Sequence, residues 1–303
     1  MTAPVPGGFD DVTADWLADA LGIAVDGITV EPFGAGTAFL GQLARVVVDH
    51  RADLPSRFVL KLPTDDPGGR RVGRMLNTWH REALFYDLLA PHVGDAVPKA
   101  FYNGADPAQD RWALLLADLH PWASGDQVAG ATRSEAESAV VQLARIHAPW
   151  WGSPRTDLTG WLPGIDQSAV TGLQDAIVAA LPRFEARYGD LLPAEPTGWL
   201  HRFAPTVRSF LGELATTPLT VAHADYRVEN LLFSPSGDQV AVVDWQTAMV
   251  TAGATDLVVI FTVPSGTCAA ADETLDSSKT LTTNKNPITV RSIVFSRFEQ
   301  SRA

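Results

Sequence analysis

The segment from His223 to Trp245 decides the fold of this chain. It begins with His223-Ala224-Asp225-Tyr226-Arg227-Val228-Glu229-Asn230, continues through the turn residues Ser234-Pro235-Ser236-Gly237, and ends with Val242-Val243-Asp244-Trp245. Hydrophobic residues at Leu231 to Phe233 and Val240 to Val243 flank the turn and predict a β-hairpin. The hairpin returns Asp244 to the loop that carries Asp225 and Asn230. Three oxygen-bearing side chains are therefore expected to converge.

An aspartate and an asparagine five residues apart on one tight loop suit the chemistry of phosphoryl transfer. That reaction needs a carboxylate to position and deprotonate the attacking hydroxyl, and oxygen ligands to hold Mg²⁺ on the nucleotide phosphates. Asp225 and Asn230 can divide these tasks, and Asp244 adds a hard anionic ligand of the kind that Mg²⁺ prefers. Each of the three alone is equally typical of an ordinary turn. Their combined spacing, with a hydrophobic strand between them, favours function.

The segment resembles the kinase pattern of His, any residue, Asp, four residues and Asn, followed by a hydrophobic strand that ends in Asp. The run Ala224 to Asn230 and the Asp244-Trp245 pair are similar to the aminoglycoside phosphotransferase and choline kinase family, including its ecdysteroid-kinase-like branch. The resemblance implies ATP and Mg²⁺ as cofactors and Asp225 as the catalytic base. It further implies Asn230 and Asp244 as metal ligands and His223 as a support for the loop.

The same resemblance implies an α+β, bilobal, protein-kinase-like fold. An N-terminal lobe with a mixed antiparallel sheet and a helix would precede a mostly helical C-terminal lobe that carries the catalytic-loop hairpin. We place the nucleotide-binding lobe at residues 1–118 and the helical catalytic lobe at residues 119–262. Residues 263–303 form an atypical tail.

The pattern of residues 1–118 predicts one helix, five strands and a second, long helix. The first helix covers Thr13 to Leu21, and the long amphipathic helix covers Arg71 to Leu89. The strands are expected at Ile28 to Val30, Leu43 to Val48, Phe58 to Leu62, Val97 to Tyr102 and Trp112 to Leu116.

Lys61 interrupts the hydrophobic strand Phe58 to Leu62 and is one of only four lysines in the chain. A buried charge is costly unless it is paired, and Glu82 on the following helix can supply the partner. In the family that the chain resembles, such a pair holds the α- and β-phosphates of the nucleotide. The ordinary alternative is a lysine whose charged end reaches water beside a solvated glutamate.

Two further segments are candidates for the nucleotide site. Gly34, Gly36 and Gly41 lie in a glycine-rich turn, where backbone amides can approach phosphates. Their spacing departs from the protein-kinase pattern, and a plain hairpin explains them equally well. The segment Leu114 to Leu119 resembles the hinge at which family members hold adenine through backbone hydrogen bonds. Asp118 in that segment either belongs to the nucleotide site or caps a turn.

The second half of the chain is predicted to be mainly helical. Ser134 and Glu137 have the spacing of a capping box, and weaker helical patterns cover Gln167 to Ala186 and Pro205 to Leu214. Asp256 follows the predicted metal ligand Asp244 and is interpreted as a structural residue that pins the loop.

The resemblance is clear from Phe33 to Leu257 and is lost after Val263. The tail is rich in Ser and Thr, lacks helical periodicity, and contains Cys268 and half of the lysines. One interpretation is a non-native or truncated terminus, and the other is a divergent, loop-rich end.

The composition limits the partners of the protein. A net charge of −12, from 35 acidic against 23 basic residues, argues against general nucleic-acid binding. No run approaches the roughly 20 apolar residues of a membrane span, so we expect a cytoplasmic protein. The lone Cys268 excludes an intramolecular disulfide and any site built from several cysteines.

The favoured interpretation is a small-molecule kinase that moves the γ-phosphate of ATP, or alternatively GTP, to a hydroxylated small molecule. A second interpretation is a nucleotide-binding protein of the same fold that is catalytically impaired by its C-terminus. A third is a metal-dependent hydrolase that uses His223, Asp225 and Asp244. The hydrolase interpretation lacks a His-Glu-x-x-His motif and leaves Lys61 unexplained. The sequence selects neither the acceptor nor the oligomeric state.

Overall fold

A computed structural model describes residues 3–34, 40–127, 129–154, 156–165, 167–191, 194–261, 281–283 and 286–288. The helices are α1 (Ala14–Leu21), α2 (Pro67–Leu76), α3 (Thr78–Leu84), α4 (Ala90–Val93), α5 (Arg133–His147), α6 (Gln167–Tyr188), α7 (Ala194–Phe203), α8 (Val207–Leu214) and α9 (Ala254–Phe261). The strands are β1 (Gly27–Phe33), β2 (Gly41–Asp49), β3 (Arg57–Pro63), β4 (Ala100–Asp106), β5 (Arg111–Ala117), β6 (Ala123–Ser124), β7 (Leu219–Ala222), β8 (Leu231–Phe233), β9 (Val240–Val242), β10 (Met249–Ala252), β11 (Leu281–Thr283) and β12 (Asn286–Ile288).

The N-terminal lobe is built on a five-stranded antiparallel sheet with the order β1-β2-β3-β5-β4. All five predicted strands are present. One face of the sheet buries Val46, Phe58, Leu60 and Leu115 against α1. Helix α1 begins at its N-cap Thr13 and ends at Gly22, whose left-handed backbone suits a residue without a side chain. Lys61 lies on β3, in the middle of the sheet, and pairs in register with Leu114 of β5.

The single long helix expected from Arg71 to Leu89 is wrong. The chain instead forms α2 and α3, separated by Asn77, and a π-helical turn at Phe85–Leu89 follows α3. Asn77 adopts a left-handed backbone with φ 53°, a conformation that asparagine tolerates better than most residues. Helical periodicity continues across this break, which is why the pattern alone did not reveal it. The break gives α3, which carries Glu82, its own direction.

The centre of the C-terminal lobe is a set of short strands packed against α5. The predicted hairpin is confirmed as β8 and β9, and β6 pairs with the outer side of β8. A second antiparallel pair, β7 with β10, was not predicted, since each strand has only four residues. The large buried side chains of this core include Tyr226, Leu231 and Trp245, so the core surrounds the predicted catalytic loop.

The capping box that begins α5 lies two residues before the predicted one. Thr132 is the N-cap, its side chain accepts from the backbone N–H of Glu135, and the Glu135 carboxylate accepts from the backbone N–H of Thr132. The predicted pair of Ser134 and Glu137 is therefore wrong. Glu137 instead forms an exposed ion pair with Arg133.

Helices α6, α7 and α8 form the outer part of the C-terminal lobe. Helix α6 extends the predicted range by two residues, and α8 occupies most of the predicted Pro205 to Leu214, whereas α7 was not predicted. No helix in the described part of the chain is long and apolar enough to cross a membrane. Of the tail, only β11 and β12 are described, and they pair with each other. The predictions for the rest of residues 263–303 lie outside the described residues, and the boundaries at 118 and 262 remain predictions.

Candidate active site

Lys61 lies at the centre of the candidate site and joins the two lobes. Its Nζ atom is 2.7 Å from a carboxylate oxygen of Glu82 on α3 and 2.7 Å from Oδ1 of Asp244 after β9. The exposed fraction of the Lys61 side chain is 14%, and that of Glu82 is 5%. The structure thus brings together the lysine, the glutamate and one predicted metal ligand, although 183 residues separate Lys61 from Asp244.

The three ionisable side chains of this cluster shift one another's pKa values. Burial alone would lower the pKa of Lys61, but the charges of Asp244 and Glu82 outweigh it, so the net shift is upward. Burial raises the pKa of Glu82, and the charge of Lys61 opposes that rise. Burial also acts to raise the pKa of Asp244, but the charge of Lys61 brings it below its ordinary value. Lys61 and Asp244 are therefore both ionised at neutral pH.

The predicted catalytic loop, residues 223–230, is held in place by hydrogen bonds to its backbone. The buried carboxylate of Asp256 accepts hydrogen bonds from the N–H groups of His223 and Ala224 at 2.9 and 2.7 Å. It also bonds Nε2 of His147 at 2.9 Å. Ala224 adopts a left-handed backbone with φ 64°, which is rare for a residue with a side chain. The bonds to Asp256 hold this turn at the start of the loop.

His223 connects the loop to the end of the hairpin. Its Nδ1 accepts from the N–H of Asp225 at 3.2 Å, so the proton lies on Nε2, which donates to the carbonyl of Val243 at 2.9 Å. The ring is fully buried against Trp245. A neutral histidine with both nitrogens bonded to backbone supports the loop and is not placed to carry a proton in the reaction.

Asp225 is held by Asn230 and remains accessible. Asn230 Nδ2 donates to Oδ2 of Asp225 at 3.0 Å and to the backbone carbonyl of Asp225 at 2.9 Å. About a third of the Asp225 side chain is exposed. Burial raises the pKa of Asp225, and the charge of Arg227 opposes the rise. The result is a positioned carboxylate that a substrate hydroxyl can reach.

The residues predicted to bind Mg²⁺ fit a magnesium ion. Asn230 uses its amide nitrogen on Asp225, which leaves its amide oxygen for a cation, and Asp244 is an ionised carboxylate with 36% of its side chain exposed. Asp244 lies on a left-handed backbone with φ 67°, at the turn that ends the hairpin. Within the described residues, no group of three or more His, Cys, Asp or Glu is placed to hold a metal ion. Magnesium commonly takes only one or two carboxylates and completes its shell with phosphates and water.

The other predicted nucleotide contacts differ in what the structure shows of them. Gly34 follows the last residue of β1 and has φ 69°, a left-handed conformation that favours glycine, whereas Gly36 lies outside the described residues. The Asp118 carboxylate accepts from the N–H of His120 at 3.0 Å and pairs with Arg57 at 3.3 Å. These contacts match the turn-capping alternative for Asp118. A role in nucleotide binding stays a prediction for all three residues.

Packed aromatic rings hold the two lobes together behind the site. Trp245 stacks on Phe85 with ring centroids 3.8 Å apart, and its backbone N–H donates to the Glu82 carboxylate at 3.2 Å. Glu82 therefore binds the lysine of one lobe and the backbone of the other. The position of Asp244 depends on this contact, because Trp245 is the next residue in the chain.

Sequence reasoning missed two members of the site. Arg227 was quoted within the motif but received no role, and its Nε lies 3.3 Å from Oδ2 of Asp225. His147, the partner of Asp256, is 109 residues away in sequence, and the local pattern gave no signal for it. For Arg227 the signal was available, because it is a cation two residues after the predicted base.

Comparison with solved structures finds several proteins to which the chain is similar. A wild-type aminoglycoside 2'-phosphotransferase-IIIa in complex with GDP has 16% identity and a TM-score of 0.50, covering 78% of this chain and 72% of that chain. A type I macrolide 2'-phosphotransferase has 17% identity and a TM-score of 0.49, covering 86% of this chain and 78% of that chain. The Plasmodium vivax ethanolamine kinase has 10% identity and a TM-score of 0.49, covering 85% of this chain and 68% of that chain.

None of the curated proteins matches the chain. A family model does match, over residues 30–279. That range begins in β1 and contains every residue of the site described above. It also extends beyond Val263, although the sequence motifs show no resemblance to the family after that residue. The chain therefore belongs to the phosphotransferase enzyme family, abbreviated APH.

Proposed function

We propose that this protein is an ATP-dependent phosphotransferase that moves the γ-phosphoryl group to a hydroxyl of a small molecule. The observation that carries the proposal is the position of Lys61, between Glu82 of one lobe and Asp244 of the other. A lysine with two carboxylate partners can replace one of these ion pairs with a contact to nucleotide phosphates and still keep the other. A hydrolase would leave this arrangement without a use.

Each residue of the cluster has one task in the proposed reaction. Lys61 binds the α- and β-phosphates, and Glu82 keeps its ammonium group in place. Asp225 orients the acceptor hydroxyl and takes its proton as the oxygen attacks the γ-phosphorus. A new bond forms between oxygen and phosphorus, the bond from phosphorus to the bridging oxygen breaks, and its electron pair leaves with ADP. Asn230 holds Asp225 through the 3.0 Å bond during this step.

Asn230 and Asp244 would hold Mg²⁺, which supplies neutralisation of phosphate charge. Both residues lie next to other members of the site, and Asp244, now 2.7 Å from Lys61 Nζ, would give up this bond to hold the metal. The proposal therefore predicts that nucleotide and metal bind together more tightly than either does alone.

The acceptor is proposed as a hydroxylated small molecule without further definition. Among similar structures are phosphotransferases in complex with kanamycin or streptomycin and an ethanolamine kinase. Some of these complexes contain ADP or ATP and others contain GDP, so both purine nucleotides belong in the test.

Two measurements on the full chain test the function. Thermal unfolding with Mg²⁺ and ATP, and separately with GTP, should show stabilisation of about 2.7 kcal/mol at a ligand concentration 100 times its Kd. A panel of aminoglycosides, choline-like alcohols, sterol-like alcohols and sugars should then contain compounds that stimulate ADP or GDP release. Absence of any thermal shift with both nucleotides would contradict the proposal.

The variant Asp225→Ala separates an active enzyme from a nucleotide-binding protein. We expect acceptor-dependent turnover to fall by about 10²- to 10⁴-fold, as for loss of a general base, while the thermal shift with nucleotide remains. Asp19→Ala on α1 is the matched control, because Asp19 is an exposed aspartate on a different lobe. Undiminished turnover in Asp225→Ala would remove the assignment of the base, and wild-type binding without any turnover would favour the impaired-protein alternative.

A further inference from the structure

Arg227 lies on the catalytic loop beside the proposed base. Its Nε atom is 3.3 Å from Oδ2 of Asp225, and one terminal nitrogen is 2.8 Å from a carboxylate oxygen of Glu229. The exposed fraction of the Arg227 side chain is 39% and that of Asp225 is 35%, so both side chains are partly accessible to solvent. The backbone N–H of Arg227 donates to the Asp225 carbonyl at 2.8 Å, which fixes the spacing of the two residues.

The contact between Arg227 and Asp225 is not a satisfied hydrogen bond. Among the residues that the structure describes, the buried Nε–H of Arg227 has no hydrogen-bond partner, because its orientation toward the nearby carboxylate is poor. A buried guanidinium donor without a partner is costly. An anionic oxygen that entered beside Asp225 would supply the missing partner.

The charge of Arg227 also acts on the other side of the site. Burial acts to raise the pKa of Asp244, but the charge of Lys61 brings it below its ordinary value, and the charge of Arg227 acts in the same direction. The guanidinium is therefore within electrostatic reach of both Asp225 and Asp244. A phosphoryl group transferred to a hydroxyl at Asp225 would meet the negative charge of that carboxylate, which repels it.

In the proposed function Lys61 binds the α- and β-phosphates and stays paired with Glu82, so a donor beside Asp225 would serve the γ-phosphoryl oxygens separately. Guanidinium suits the task, since its planar fork of N–H donors matches the oxygens of a phosphoryl group. Glu229 uses one terminal nitrogen of Arg227 and leaves donors on the other edge. The loop thus presents a held arginine next to the base.

We infer that Arg227 is a further catalytic residue that binds the γ-phosphoryl group during transfer, and that Glu229 is the positioning residue for its guanidinium. The inference rests on the proposed function. As the acceptor oxygen bonds to phosphorus and its proton moves to Asp225, the bond from phosphorus to ADP breaks. Arg227 donates N–H groups to the non-bridging oxygens throughout, and its own protonation does not change.

The affinity difference between ATP and ADP tests this contact without reference to turnover. Isothermal titration with Mg²⁺ present gives Kd for each nucleotide in the wild type and in Arg227→Ala. We expect the variant to lose about 10- to 100-fold in ATP affinity, the range for a hydrogen bond to a charged group, and to keep its ADP affinity. Steady-state turnover should fall about 100-fold in kcat, as when a donor to the transition state is removed.

Variants in an Asp225→Asn background show whether Arg227 contacts the nucleotide directly or acts through Asp225. Loss of Arg227 leaves the Asp225 charge unopposed, and that charge alone would weaken ATP binding. The pair Asp225→Asn and Asp225→Asn/Arg227→Ala removes this repulsion. If Arg227 touches the phosphoryl group, the double variant still binds ATP about tenfold or more weakly than Asp225→Asn.

Three further variants define the chemistry. Arg227→Lys keeps the charge without the fork and should fall between the wild type and Arg227→Ala in ATP affinity. Glu229→Gln should lower kcat more than it raises KM for ATP, because it loosens the guanidinium without removing it. Arg133→Ala is the matched control, since Arg133 is an exposed arginine on α5 that pairs with Glu137, and it should leave both affinities unchanged.

The outcomes distinguish the inference from the function on which it rests. Equal loss of ATP and ADP affinity in Arg227→Ala, or no loss of either, overturns the inference while nucleotide binding by the wild type upholds the function. An effect that disappears in the Asp225→Asn background also overturns it, because Arg227 would then act only through Asp225. A wild type that binds neither nucleotide removes both.

Discussion

Two regions of the C-terminal lobe differ sharply in how their large side chains are packed. In the catalytic segment, residues 219–256, the side chains of Tyr226, Leu231 and Trp245 are fully buried. In the helical segment, residues 167–214, Trp199 is 53% exposed and Phe210 is 45% exposed. Four more large apolar side chains of the helical segment are at least 37% exposed, namely Leu173, Val178, Phe184 and Tyr188.

The difference in burial indicates that the catalytic segment is the more rigidly packed of the two. Phosphoryl transfer relies on charges held in fixed positions, and the catalytic segment fixes its carboxylates through a close-packed core and bonds to backbone. The helical segment contacts mainly itself, as Trp199 stacks on Phe203 and Phe203 packs against Phe210. We therefore expect substitutions of the same residue type to have unequal effects in the two segments.

The largest expected effect is that of Trp245→Ala. Trp245 is fully buried, stacks on Phe85 at 3.8 Å and packs edge-on against His223 at 4.6 Å. Truncation of a buried tryptophan leaves a cavity, and the free energy of unfolding should fall by about 3–5 kcal/mol. Urea denaturation followed by circular dichroism measures the change. A loss below about 1 kcal/mol would show that the stack between the lobes is not part of the core.

The second effect concerns Asp256, the buried anchor of the catalytic loop. Burial tends to raise the pKa of Asp256, but the hydrogen bond and charge of His147 and the hydrogen bond from the His223 backbone outweigh it and lower the pKa. A carboxyl group with a lowered pKa in the folded state stabilises the protein above its ordinary pKa. That stability is lost as the pH falls through the folded value.

Asp256→Asn should therefore lower the free energy of unfolding by about 1–3 kcal/mol at pH 7, since charged hydrogen bonds are lost. The deficit relative to the wild type should shrink as the medium is acidified. Urea unfolding between about pH 3 and pH 7 tests this. A pH-independent deficit would mean that the ionised carboxylate contributes nothing beyond its shape, and the exposed Asp19→Asn serves as the reference.

The candidate site residues were easier to predict from the sequence than the residues and strands that hold them in place. Asp225, Asn230 and Asp244 could be proposed from the sequence because a short loop and a short hairpin limit their relative positions, and their roles remain predictions. Lys61 and Glu82 were identified because a charge in a hydrophobic strand demands a partner. The sequence also predicted the five strands of the N-terminal sheet, whose alternation of residues is strong.

Features that depend on contacts between distant segments were missed. The break at Asn77 leaves the helical periodicity intact, so only the backbone shows it. Strands β7 and β10 are short and are recognisable only through their mutual pairing. His147 meets Asp256 through the packing of α5, which no local pattern encodes. In each of these cases the local sequence allows more than one structure, and contacts with distant segments select the one that forms.

A smaller effect tests the boundary of α5, the helix on which the catalytic segment packs. Thr132→Ala should lower the free energy of unfolding by about 1 kcal/mol, because it removes the N-cap bond to Glu135. Ser134→Ala, the change that the sequence pattern alone would single out, should have almost no effect. Equal losses in the two variants, measured by urea denaturation, would contradict the structural assignment of the cap.

The last expected effect is that of Trp199→Ala, the counterpart of Trp245→Ala in the helical segment, and it should be much smaller than the effect of Trp245→Ala. Half of the Trp199 side chain is exposed, and its main ring contact is the stack on Phe203 with centroids 4.7 Å apart. Such an aromatic pair contributes about 0.5–1.5 kcal/mol beyond area burial, so the loss should not exceed about 1.5 kcal/mol. Urea denaturation of both tryptophan variants in parallel makes the comparison direct. A loss as large as that of Trp245→Ala would mean that Trp199 is covered in solution, and the contrast between the two segments would then not hold.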